Sequence, residues 1–183
     1  MLENRRRSLR RWRWALALTI LASAIVLVGT ALQHPTDAKL RALLSTNKRA
    51  FEQLLRMLAE DREIIRLSPK FILWDHGEAS GGVAGYKHRD FDKGRWDQYR
   101  ELLAAIGSRE GLVVKKDDGI IVFSESVLGA FLSGTSKGIA YQYRPSLDPS
   151  VKIVGSLDDN AALPEGEYLS PIGSGWYIYF DKF

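Results

Sequence analysis

The chain has 183 residues, with 26 basic and 22 acidic side chains, three histidines and no cysteine. The first fourteen residues hold six arginines against one glutamate, and the rest holds 20 basic against 21 acidic groups. Without a concentrated cationic face in the body of the chain, a phosphate-backbone partner is not expected, so no nucleic acid is predicted. Without cysteine there is neither a disulfide framework nor a thiolate nucleophile.

Residues 1–14 read as a basic cytoplasmic tail. Ala15 to Leu32 is eighteen residues without a charge, about 27 Å long as a helix at roughly 1.5 Å per residue. Nine of them are Leu, Ile or Val, and Trp12 and Trp14 stand at the N-terminal flank. This pattern predicts a transmembrane helix over 15–33, a single-pass signal-anchor of a bacterial inner membrane. The positive-inside rule places the N-terminus in the cytoplasm and everything after His34 in the periplasm. The competing reading is a signal peptide cleaved near Ala31, which releases the same region as an exported soluble form. Either way residues 34–183 leave the cytoplasm.

Pro35-Thr36-Asp37 is a helix-start signal with Thr36 as N-cap. Neither proline nor glycine intervenes before Leu67. Leu40, Leu44, Phe51, Leu54, Leu58 and Ile65 form a helical stripe, which predicts a membrane-proximal amphipathic helix over 34–68. Glu52 stands four residues before Arg56, the favourable orientation for a helix ion pair. Leu44, Phe51, Leu58 and Ile65 also repeat by seven, which raises a homodimer through 37–66. Polar Asn47 and Asp61 at the alternate seam positions argue for packing on the chain's own sheet instead.

After Pro69, Phe71–Trp74 reads as a buried strand, and residues 76–92 as a glycine-rich loop. A second helix is expected from about Gly94 to Ile106, ended by Gly107. Val113-Val114 and Ile120–Phe123 around Asp118-Gly119 predict a hairpin with a type I′ turn. Ser126–Leu132 reads as a helical turn or short helix. Gly138–Arg144 and Val151–Val154 are strand candidates. The chain closes on two strands around Gly173-Ser174-Gly175, with Pro171 placed at an edge. Trp176, Ile178 and Phe180 share one face of the last strand, and Tyr177 and Tyr179 share the other. The predicted fold class is α+β: an N-terminal single transmembrane helix, a long amphipathic helix, and a domain over 69–183 with an antiparallel sheet and one further helix.

Chemistry-bearing side chains gather at Asp75, His76, Glu78, His88, Asp90 and Asp92. Imidazole and carboxylate together suit a metal ion or acid–base work, but their spacing fits no established metal motif. His88-Arg89-Asp90 matches a kinase catalytic loop in three letters only, without its companion elements. Gly77–Gly85 lacks the lysine and hydroxyl of a phosphate loop. Ser45-x-x-Lys48 lacks the partner motifs of acyl-transferring serine enzymes. No cofactor is called for. Tyr141, Tyr143, Tyr177 and Tyr179 are the candidate interface aromatics, since tyrosine buries area while keeping a polar tip. The expected role is a non-enzymatic interaction or accessory module with an envelope protein partner. The alternatives are a small-ligand or sensory module, then an enzyme using the 75–92 loop.

Overall fold

The structure is a computed structural model that describes residues 33–75, 79–81, 91, 93–130 and 133–183. One unit runs from His34 to Phe183. Helix α1 (Asp37–Glu60) starts as its sequence dictates: Thr36 is extended and its hydroxyl accepts from the Lys39 N–H. At Asn47 the backbone leaves helical geometry, and the side chain donates to the Leu43 carbonyl at 3.1 Å. An amide that competes for a backbone acceptor in this way bends a helix.

The helix stops at Glu60, earlier than the proline at 69 suggests. Asp61 takes a non-helical conformation as C-cap, and its carboxylate is held by Arg95 Nε at 2.8 Å and the Tyr99 hydroxyl at 2.7 Å. The β-branched pair Ile64-Ile65 then opens strand β1 (Ile64–Leu67) rather than another helical turn. The buried stripe Leu40, Leu44, Phe51, Leu54, Met57 and Leu58 packs into the chain's own core; it includes Leu44, Phe51 and Leu58 of the seven-residue repeat, whereas Ile65 lies in β1.

Next come β2 (Phe71–Trp74), β3 (Ala79–Gly81), α2 (Lys93–Ala105), β4 (Leu112–Lys115), β5 (Ile120–Ala130) and β6 (Ser133–Gln142). Then follow β7 (Lys152–Ile153), β8 (Gly166–Gly173) and β9 (Trp176–Lys182). Helix α2 ends in a Schellman motif, with Gly107 at φ 72°. The Ser108 and Gly107 N–H groups donate to Leu103 and Ala104.

The expected fold class requires correction. A nine-stranded sheet, ordered β3-β2-β1-β4-β5-β6-β9-β8-β7, dominates the described residues. It is mixed rather than antiparallel, because β7 pairs parallel with β8. The return from β6 passes through the Pro145–Pro149 region and brings β7 in alongside β8 instead of folding it back as a hairpin. The transmembrane, single-pass description is overturned as well: no helix among the described residues is long and apolar enough to cross a membrane. Helix α1 has the length, but lysines, arginines and glutamates line its outer face. The segment on which that expectation rested, 15–33, lies outside the described residues except for Gln33.

Two local expectations also change. Ser126–Leu132 is not helical as far as it is described: β5 continues to Ala130, paired with β6 through a bulge between Ser124 and Ser126. The type I′ turn falls at Ser174-Gly175, whose φ angles are 52° and 80° between the paired Gly173 and Trp176. The β4–β5 connection instead spans four residues, since Lys115 pairs with Ile120, and only Gly119 there has positive φ.

The main core lies between the helices and one face of the sheet. Phe51 of α1 meets Phe123 and Trp176 edge-on at 5.0 and 5.7 Å, a geometry that adds about 0.5 to 1.5 kcal/mol per pair beyond buried area. A smaller cluster on the opposite face joins Ile120, Val122, Ala140, Val151, Leu169 and Tyr179. Trp176, Ile178 and Phe180 therefore line the main core as expected, while Tyr179 sits in a second core rather than on open surface.

Candidate functional site

A groove of about 650 Å³ opens where the C-terminal half of α1 leaves the sheet. Its floor is one row of side chains across three strands, Val114, Ile121 and Tyr141, which the antiparallel register sets side by side. Leu55, Leu58 and Ala59 form the helical wall, and Ile64 of β1 closes one end. Tyr141 is half-buried over Trp176, with ring centroids 4.9 Å apart. Tyr143 is 40 % exposed at the mouth.

The rim is cationic: Arg56, Arg62, Lys116 and Arg144 line the groove, and no acidic side chain among the described residues does. Lys116 is neutralised by Asp75 at 2.6 Å. The guanidiniums of Arg56, Arg62 and Arg144 make no ion pair among the described residues; Arg62 donates to the Ala59 carbonyl and Arg144 stacks on Tyr143. Three acids near Arg56 and Arg62 in the chain are engaged elsewhere. Glu52 pairs with Lys48 at 3.9 Å instead of with Arg56. Glu60 and Asp61 both hold Arg95, at 2.7 and 2.8 Å.

The residues singled out in sequence distribute unevenly. Asp75 is exposed and tied to Lys116, whereas His76, Glu78, His88, Asp90 and Asp92 lie outside the described residues. Tyr141 and Tyr143 belong to the groove. Tyr177 is half-buried on the opposite face and donates to Gln142 Oε1 at 2.9 Å; Tyr179 is buried there. Sequence reasoning missed all three arginines: Arg56 reads as paired because it stands four residues after Glu52, and Arg62 and Arg144 carry no local signal that sets them apart.

Two further charged clusters lie outside the groove. Lys137 is 1 % exposed and stands 2.8 Å from Asp37 Oδ1 and 2.8 Å from the Leu157 carbonyl. Burial works to raise the Asp37 carboxyl, but the Leu157 N–H, Lys137 and the Ser156 hydroxyl outweigh it and hold it below its ordinary value. This network ties the start of α1 to β6 and to the loop before β8. On the second face Lys115 of β4 contacts Glu167 of β8 and stands 3.6 Å from Asp118. Three strands separate β4 from β8 in the sheet order, so the contact requires a strongly coiled sheet whose corners approach each other. Burial raises the Glu167 and Asp181 carboxyls, with Lys115 opposing in both cases. Both clusters are built to hold elements together. Among the described residues the groove is an open surface with an apolar floor and a cationic rim.

Comparison with protein-family models, curated proteins and solved structures found no match to this chain.

Proposed function

We propose that residues 34–183 form a non-enzymatic protein-interaction module of the cell envelope, with the groove between α1 and the sheet as its contact surface. The observation that carries this reading is an apolar floor ending in an exposed tyrosine and bordered by three arginines that make no ion pair among the described residues. Arginine and tyrosine are the residue types that anchor protein interfaces, and unpaired guanidiniums beside apolar surface await a counter-charge. Export is supported by the basic cluster and apolar stretch of residues 5–32.

A photo-crosslinkable residue at position 143 in intact cells tests the contact, with exposed position 159 as its control. Capture of a discrete protein partner from 143 and not from 159 is expected; equal or absent capture rejects the groove as a protein-contact surface. A reporter fused after Phe183 that is active only in the cytoplasm rejects the envelope placement. The groove's volume, within the roughly 300 to 1,000 Å³ of small-molecule sites, favours a small-ligand module as the second reading. In that case thermal stabilisation by a low-molecular-weight ligand replaces the crosslink.

A further inference from the structure

Resting on the interaction reading, we infer that the groove's occupant is an acidic amphipathic segment of a partner protein, an apolar spine with carboxylates along both flanks. Charge complementarity carries the inference. The cations come from both the helix side and the sheet side of the groove: Arg56 and Arg62 from the end of α1 and the turn after it, and Arg144 from the residues that follow β6. A ligand with a single anionic head would engage one side and leave the other unanswered. A peptide with carboxylates on either side of its apolar residues answers both.

The apolar floor supplies the second half of the match. Val114, Ile121 and Tyr141 lie in register on adjacent strands and face the helix wall across an open trough. An apolar face laid into such a trough, with anchors at helical spacing, is a recurrent mode of peptide capture. Guanidinium is suited to the flanks because its planar fork meets a carboxylate through two parallel hydrogen bonds. Two acids near Arg56 in the chain are already committed, Glu52 to Lys48 and Glu60 to Arg95, so neither competes for the arginines.

The test uses the full-length chain and two labelled peptides of about 12 residues. Both carry leucines at helical spacing; one has glutamate on its flanks and the other lysine. Fluorescence anisotropy is expected to show the glutamate peptide binding at least about tenfold tighter at low salt, with the margin shrinking as salt is added. The Arg56→Glu, Arg144→Glu variant is expected to invert the preference. Arg62→Glu alone provides an independent reading if that double variant fails to fold. Equal binding of the two peptides, or a preference indifferent to the reversals, overturns the inference. So does binding of dodecanoate where neither peptide binds, which marks a small amphiphile as the occupant. If crosslinks from position 143 persist while the peptides are not distinguished, the interaction reading stands and the acidic partner falls. If neither is seen, both fall.

Discussion

At the scale of single residues, the unusual chemistry lies in buried charge. Glu125 sits at the β5 bulge, between two residues that pair with β6. Its Oε1 is buried without a hydrogen-bond partner, and burial raises the carboxyl to about 7, with Lys39 pulling the other way. A carboxyl whose folded value lies above its ordinary one adds stability that is fully present below pH 4.5 and is lost as pH rises through about 7. Glu125→Gln is therefore expected to be the more stable form at pH 8, by about 1 to 2 kcal/mol after allowance for solvent screening. That advantage should vanish near pH 4. His34 acts in the opposite sense, since burial and then Lys137 lower it. Its contribution is present above pH 6.5 and lost as pH falls through its folded value. Only the difference between the two proteins in urea melts across that range isolates Glu125; a constant difference rejects the assignment. Lys137 is the second case. Lys137→Met leaves Asp37 as a buried carboxylate without its cation and is expected to cost about 3 to 5 kcal/mol, read as a lower urea midpoint at unchanged slope.

At the scale of elements, turns and strand ends decide where the groove lies. The Ser174-Gly175 turn fixes the β8–β9 register and so the position of Trp176 beneath Tyr141. Type I′ geometry asks for positive φ at both central residues, which Asn-Gly meets better than Ser-Gly. Ser174→Asn is expected to stabilise by about 0.5 kcal/mol, whereas Gly175→Ala should cost about 1 kcal/mol or more. At Gly175 a Cβ would also stand 3.3 Å from the Tyr141 ring. Thermal melts of the two variants moving in the same direction would reject the turn assignment. This turn also illustrates what could be read in advance. A helix from Thr36, a helix ended by Gly107 and a last strand with alternating faces are local patterns, and each appears in the structure. Asp118-Gly119 looked the better type I′ pair, but strand pairing set a four-residue connection there. The end of α1 depends on Arg95 and Tyr99, 34 and 38 residues away from Asp61, and the local signal, the β-branched pair Ile64-Ile65, marks only the strand that follows. The site was half legible for the same reason. Tyr141 and Tyr143 stood out as aromatics, whereas the freedom of Arg56 depends on Glu52 turning to Lys48 and Glu60 to Arg95.

At the scale of the whole molecule, the few residues before α1 act as a clasp. His34 sits between strands β5 and β6, its ring nitrogens 2.6 Å from the Ser126 hydroxyl and 2.7 Å from that of Thr135, with its edge toward Phe180 at 5.7 Å. Thr36 caps α1, and Asp37 answers Lys137 while accepting from Ser156 and the Leu157 N–H. Residues 34–37 therefore join helix, sheet and the loop before β8, although α1 would keep most of its apolar stripe without them. If sheet and helix were held by apolar burial alone, removing four polar-rich residues would matter little. The buried lysine argues otherwise, because losing Asp37 leaves its ammonium only the half-exposed Asp158 carboxylate at 3.4 Å, and an under-compensated charge in the core costs several kcal/mol, a large part of the roughly 5 to 15 kcal/mol that stabilises a domain. A chain begun at His34 is expected to unfold in one cooperative step. One begun at Ala38 is expected to lose about 3 to 5 kcal/mol or more, and restoring it with Lys137→Met should recover part of that loss. Equal urea midpoints for the two starting points would show that the clasp is peripheral and that the apolar stripe holds α1 in place unaided.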